Sequence, residues 1–492
     1  MKLKVRGIDI ATGGTLIGVL NEADASLLDL HPLDRIKIKK GKEIETVVLD
    51  VAESKRTLPA GSIGLFEEVM KSLKLKNGSI VAITPARKPI SIDYIKKKLD
   101  GFRLNAKEIN QIVWDIVHNK LNDTEITYFV AACYSNEMNV KETTMLTKAM
   151  ANQGDILKLK SKIVMDKHCV GGVAGNRTTP IIVPIIAASG LKIPKTSSRS
   201  ITSPAGTADT MEVLTNVVIP IKKMKRIVER TNGCLVWGGA LNLAPADDKI
   251  IKVERPLSID AKSQLLASVM AKKASVSATH LLIDIPAGKG SKITSIQKAK
   301  ILKKDFENLA KQLHIRTKVV ITYGSEPIGN GIGPALEARD VLLVLLNDKS
   351  APQDLREKSL KLAGFMLDLA GKTNGYKIAK NILESGKAYH KFVEIIKAQG
   401  GKEIKPNQIE IEKFQYHVLA RKSGRIRCIS NKKISKIARI AGAPTCKGSG
   451  IYLYKHVHDK VKKGEKLFTI YAHDPTKLRF AKEALESLYP IE

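Results

Sequence analysis

The stretch MDKHCVGGVAGNRTTPIIVP, residues 165–184, decides the fold class. A short β-like run ends near Asp166, glycines follow at 171, 172 and 175, and a predicted helix opens with Pro180 in its first turn. Proline suits that position because a first-turn N–H has no helical acceptor. Strand, glycine turn and helix in succession form the repeating unit of α/β sheets. The apolar runs KIVMDK, HLLIDIPAG and KVVITYG then alternate with the helical patterns SIQKAKILKKDFENLAKQL and GPALEARDVLLVLL. The α/β domain is therefore expected over residues 156–244 and 278–408. GNGIG, residues 329–333, is expected to start a further helix and carries no assigned chemistry.

Outward from this centre the pattern changes. SIDYIKKKLDG, NAKEINQIVWDIVHNK, DTEITYFVAACYS and NVKETTMLTKAMANQG each begin at Ser, Asn or Asp and carry apolar residues at three- and four-residue steps. They predict a helical domain over residues 86–155, completed by 245–277, where SIDAKSQLLASVMAKKASVSA is one more amphipathic helix. Residues 1–85 read as a small β-rich module. LKVRGIDI, TLIGVL, IETVVLDV and GSIVAIT are its strands, NEADASLL is a helix capped by Asn21, and SIGLFEEVMKSLKLKNG is a second helix. Residues 409–492 form a β-rich tail, and their GSG and VKKGEKL turns are similar to a lipoyl or biotinyl hammerhead without its MKM lysine. The expected fold is multidomain α/β: N-terminal β module, helical domain, large α/β domain with a central mixed sheet, and β-rich C-terminal part.

Composition excludes several classes. At 43% hydrophobic and 27% charged residues the 492-residue chain is globular, not disordered. The longest apolar run, near residues 181–188, is interrupted by Pro184 and falls far short of the ~18 residues that span a bilayer. The opening MKLKVRGIDIATGG turns polar before a signal-peptide core could develop, so a cytoplasmic protein is expected. Five cysteines without a CxxC pair read as free thiols, with no metal site. The formal net charge of +33 fits either a lysine-rich solvated surface or an anionic partner. With aromatics at only 4% and lysines spread along the chain, a base-stacking nucleic-acid platform is disfavoured.

Two loops carry candidate chemistry. The glycines at 171 and 172 precede a helix N-terminus, an arrangement that aims backbone N–H groups at a phosphate; it is equally a tight strand–helix turn. The second loop, SSRSITSPAGTADTMEVL at residues 197–214, gathers hydroxyls at Ser198, Ser200, Thr202, Ser203 and Thr207 around Arg199, with Gly206 permitting close backbone approach. It reads as an anion cradle or as a polar surface loop. Loops at strand ends of one α/β sheet converge on a shared crevice, which links the two.

SSRSITSPAGTADTMEVL resembles the signature of the thymidine phosphorylase family, and DKHCVGGV resembles that family's DKHSTGGV phosphate loop. The similarity runs from about residue 91 to the end, and the extra N-terminal module is similar to that of the nucleoside monophosphate (AMP) branch. The resemblance implies phosphorolysis: inorganic phosphate, the co-substrate, attacks C1′ of the ribose and displaces the base, with no cofactor. It implies that Lys167, Ser198, Arg199 and Thr207 surround an anion and that Gly171 and Gly172 supply amides; His168 reads as a residue packed beside the loop, with a phosphate or base contact as the alternative. Ser198, Arg199, Ser200, Ile201, Thr202 and Ser203 would wrap the nucleotide. Asp260 would give a proton to the departing base, Ser268 and Lys272 would face that base, and Lys292 would reach the nucleotide. It also implies a homodimer or larger homo-oligomer, and helical and α/β domains that close on each other. From spacing alone Asp260 reads as a helix cap, whose carboxyl would be acidic, the reverse of what a donor needs.

Two departures bear on the substrate. Where pyrimidine nucleoside phosphorylases hold the base with Tyr and Arg, this chain has Ile250 and Val253, which argues against strict thymine or uracil recognition. Cys169 stands where the family loop has serine, replacing a good hydroxyl donor with a poor one. Charge points the same way: two dianions about 6 Å apart at an effective dielectric of 20 repel by roughly 11 kcal/mol, so a nucleotide plus phosphate demands several cations. Lys167, Arg199, Lys272 and Lys292 are the candidates. The expected substrate is therefore AMP or another nucleoside monophosphate such as CMP or UMP. A pyrimidine nucleoside phosphorylase, a magnesium-dependent phosphoribosyltransferase and a basic nucleic-acid-binding protein are the competing readings.

Overall fold

The computed structural model describes residues 1–54, 56–200, 203–254, 256 and 261–492. The chain divides into two compact units, residues 1–153 with 244–268 and residues 154–243 with 269–492.

The first unit begins with a closed six-stranded barrel, in the order Lys2–Ile8, Ser62–Phe66, Ile17–Asn21, Glu43–Ala52, Arg35–Lys40, Ile80–Ala86. Alternation sends Leu3, Val5, Ile36 and Ile38 inward, and each fully buried aliphatic side chain contributes about 1.5–3 kcal/mol. Asn21 does cap its short helix, accepting the Ala23 N–H. Two strands were not expected. Arg35–Lys40 hides its period-two pattern among lysines, with Lys37 and Lys39 exposed and Lys40 half-buried, and Ser62–Phe66 is buried over its first four residues with no alternation to read. The second helix is confined to Glu67–Ser72.

The helices Ala106–Val117, Asp123–Ser135 and Val140–Asn152 follow, each opened by the same reciprocal box. Asn105, Asn122 and Asn139 accept from the N–H of Glu108, Glu125 and Glu142, whose carboxylates return to the asparagine N–H groups. The cap of the middle helix is Asn122, one residue ahead of the expected aspartate. All three glutamates also carry ion pairs, Glu108 with Lys97 at 2.8 Å. Glu125 binds the buried Arg35 of the barrel, and Glu142 takes Lys98 at 3.2 Å, Arg103 at 2.7 Å and the Leu104 N–H at 3.0 Å. Burial opposes ionisation of Glu142, but these donors hold its carboxyl below the ordinary value.

The second unit is built on parallel strands. Met165–Cys169 pairs with His280–Ala287, which pairs with Arg316–Tyr323, and Ile193–Ser197 pairs with Gly233–Trp237. A single parallel bridge between Val164 and Lys192 joins the two sets. Helix Thr179–Ala188 lies in the core and runs through Pro184 at its sixth residue. Its nearly complete burial outweighs the one backbone bond the proline forgoes. In its C-terminal part the strands Gly331–Ile332, Gly450–Leu453, Lys466–Ala472 and Phe414–Leu419 form an antiparallel sheet, covered by helices Asn431–Ile440 and Pro475–Ser487. Among the described residues no helix is long and apolar enough to cross a membrane.

Glu142→Ala leaves Lys98, 1% exposed, without its carboxylate and should cost about 3–5 kcal/mol in urea unfolding. Lys71→Ala breaks the exposed pair with Glu67 and should leave the urea midpoint nearly unchanged.

Candidate active site

Both candidate loops leave strands held together by one carboxylate. Asp166 is fully buried, receives Lys273 Nζ at 2.7 Å and the Lys167 N–H at 2.7 Å, and lies 3.7 Å from Lys195 Nζ. Lys195 belongs to the strand that feeds the hydroxyl loop, and Lys273 to helix Lys262–Ser275. One anion among buried cations leaves an excess of positive charge. Burial, reinforced by Lys273, lowers the Lys195 ammonium to about 7. Burial, then Lys273, Lys195, Lys167 and Lys272, hold His168 well below its ordinary value, so its imidazole is neutral. His168 lies at the strand end, and Lys272 is close enough to act on it.

The glycine loop has the geometry of an anion cradle. Gly171 and Gly172 have φ of +91° and +89°, in the region open to glycine, and a Cβ on Gly172 would overlap the backbone nitrogen of Lys292. That contact places Lys292, whose side chain is exposed, directly against the loop. Lys167 is 1% exposed and reaches the start of the following helix, donating to Thr178 Oγ1 at 3.1 Å and Thr179 Oγ1 at 3.4 Å. Asn431, from the C-terminal sheet's covering helix, accepts the Ala174 N–H at 3.0 Å and donates to the Gly324 carbonyl at 3.1 Å. Cys169 does not present a free thiolate. Its Sγ lies 3.4 Å from Asp284 Oδ2, and burial followed by the Asp284 charge pushes the thiol up.

The hydroxyl loop is stapled at both ends by Asp209, whose Oδ2 accepts the N–H groups of Ser200 at 2.7 Å and Gly206 at 2.8 Å. A Cβ on Gly206 would come within 2.6 Å of the Ser198 carbonyl oxygen, so the close return of the chain requires glycine. Ser200 Oγ donates to the Ser203 carbonyl, Ser203 Oγ donates to the Ala205 carbonyl at 3.0 Å, and Ser198 is exposed. Arg199 stacks on Trp237 at 4.4 Å and pairs with Glu212.

Arg177 joins the two loops. At the exit of the glycine loop it pairs with Glu337 and donates to Thr207 Oγ1 at 3.1 Å and the Ala205 carbonyl at 2.8 Å. Glu337 is fully buried, and burial raises its carboxyl against the pull of Arg177. Lys167, His168, Gly171, Gly172, Lys272 and Lys292 therefore gather around one strand end, with Ser198, Arg199, Ser200, Ser203 and Thr207 tied to it through Arg177. Ser268 is half-buried on helix Lys262–Ser275, one turn before Lys272, at the last position of the first unit. Ile201, Thr202 and Asp260 lie outside the described residues. Arg177, Glu337, Asp209, Lys195 and Lys273 were not anticipated. The one available signal was Arg177 itself, an arginine directly after the glycines, whereas its partner is 160 residues distant.

Family models match three consecutive parts of the chain. Residues 92–154 match the glycosyl transferase family helical bundle domain, 161–389 the glycosyl transferase family a/b domain, and 425–492 the pyrimidine nucleoside phosphorylase C-terminal domain. Bundle, parallel sheet and anion loops together define a pentosyl-transferring glycosyltransferase. The anthranilate phosphoribosyltransferase of Thermus thermophilus shares the fold, with a TM-score of 0.54, 17% identity and coverage of 63% of this chain and 100% of its own. The chain is 47% identical to the AMP phosphorylase of Pyrococcus furiosus, over 100% of this chain and 98% of that protein. It is 46% identical to that of Methanocaldococcus jannaschii, over 100% and 97%, and 48% identical to that of Thermococcus kodakarensis, over 97% and 95%. It belongs to the AMP phosphorylase family.

Trp114 lies in the first unit and Trp237 in the second, so fluorescence of a Trp114→Phe protein follows the second unit alone. In that background Gly171→Ala, with open space at its Cβ, should cost about 1–2 kcal/mol from backbone strain, and Gly172→Ala more, because the Lys292 segment must move. Folded Lys195 loses its proton near pH 7, while the unfolded side chain keeps it to about 10.5. Unfolding takes up a proton between those values, so stability should rise with pH across that window. Lys195→Met should flatten the slope.

Proposed function

We propose that this protein catalyses phosphorolysis of AMP, giving adenine and ribose 1,5-bisphosphate, with CMP and UMP as further substrates. The observation that carries the proposal is the junction at Arg177, which ties a glycine cradle and a hydroxyl cradle into one anion-binding centre. A reaction between two phosphate-bearing molecules requires two such cradles side by side.

In this reading the Gly171–Gly172 turn and Lys167 hold inorganic phosphate, with the N–H groups of the turn supplying preorganised donors. Ser198 to Ser203, with Arg199, Thr207 and Lys292, hold the nucleotide's ester phosphate and ribose. Held in line with C1′, the phosphate oxygen bonds to C1′ as the bond to the base nitrogen breaks, and Asp260 delivers a proton to that nitrogen. Ser268 and Lys272 face the base. Neutral His168 neither competes for phosphate nor repels Lys167. The four-part division at residues 1–85, 86–155 with 245–277, 156–244 with 278–408, and 409–492 is the organisation we propose for this chemistry. A homodimer or larger homo-oligomer in the cytoplasm is its proposed setting.

The test is base release from AMP, CMP, UMP, adenosine and thymidine, each with and without phosphate, read by chromatography. Adenine should appear from AMP only when phosphate is present. Thymine from thymidine, or release without phosphate, would overturn the proposal. Asp260→Asn should slow turnover by about 10²–10⁴-fold; turnover near that of the unaltered protein would leave Asp260 as a helix cap.

A further inference from the structure

Glu212 is shared between two cations. One oxygen takes Arg199 NH2 at 2.5 Å and the other takes Lys447 Nζ at 2.7 Å. Lys447 comes from the C-terminal part of the chain, where its carbonyl accepts the Ala335 N–H at 3.0 Å, fixing its backbone at the start of the helix that carries Glu337. Its ammonium also lies 3.7 Å from Asp209 Oδ1, the carboxylate that staples the hydroxyl loop.

Three features argue that this cluster is more than a fold contact. The side chains of Arg199, Glu212 and Lys447 are 38%, 28% and 37% exposed, and ion pairs this wet contribute little to stability. Arg199 is incompletely used: its Nε is buried and, among the described residues, has no hydrogen-bond partner. The charges of Arg199 and Lys447 balance those of Glu212 and Asp209, so an arriving anion meets a neutral group whose arginine is held by a carboxylate with a second cation at hand.

We infer that Lys447 is a positioning residue for the nucleotide, keeping Glu212 neutralised so that Arg199 can turn from that carboxylate to the ester phosphate. The inference rests on the AMP phosphorolysis proposed above. Without Lys447, Glu212 would hold Arg199 alone, and the cluster would carry a net negative charge beside the loop that receives a dianion. Both effects weaken AMP binding, and neither touches the bond-breaking step.

Steady-state kinetics with AMP and phosphate varied separately test this. Adenine release by the unaltered protein is measured first; its absence would overturn the proposed function itself. Given activity, Lys447→Met should raise KM for AMP about ten-fold with kcat and KM for phosphate within about two-fold, Lys447→Arg should keep KM near its original value, and Lys447→Met with Glu212→Gln should restore it. An unchanged KM for AMP, a rise confined to KM for phosphate, or no restoration by Glu212→Gln would overturn the inference while leaving the phosphorolysis intact.

Discussion

The buried Asp166 carboxylate is the interaction on which the second unit depends. Among the described residues, the strand ending in the glycine loop and the strand ending in the hydroxyl loop share only the Val164–Lys192 bridge along their backbones. Their relative position at the loop end is set instead by side chains, with Lys195 from one strand and Lys273 from a helix converging on an aspartate of the other. Breaking a buried pair of this kind costs about 3–5 kcal/mol, since the remaining charge cannot be rehydrated. The geometry of both loops follows from it.

The same cluster sets the electrostatics. More lysines than carboxylates are buried at the strand end, which costs stability and gives the region a positive potential. The polar groups answering it act at different distances. Thr178 and Thr179 satisfy Lys167 locally, while Arg177, Glu337 and Thr210 extend the network to the hydroxyl loop, with Thr210 Oγ1 3.0 Å from Glu337 Oε2. Neutral His168 follows from burial among these lysines, whereas the Cys169 thiol is raised by burial and by Asp284 against the pull of Lys167.

What could be read from sequence is what local rules govern. The helix starts at Asn105 and Asn139, the glycine turn before Pro180 and the strands at HLLIDIPAG and KVVITYG each carry their signal within a few residues. Family resemblance supplied the roles expected of the loop residues. Partners remote in sequence left no such trace. Glu337 for Arg177, Lys273 for Asp166 and Lys447 for Glu212 are paired by the fold, with nothing nearby in the chain to announce them. Ser62–Phe66 misled for a related reason: a strand buried on both faces loses its alternation and runs smoothly into the helical pattern that follows.

Asn431 makes the tail part of the loop it does not belong to. With its amide spanning from Ala174 to Gly324, a gene shortened after the α/β region would encode a sheet whose glycine turn had lost an outside brace. The C-terminal domain that begins near residue 425 is therefore mechanically continuous with the glycine turn that its helix braces.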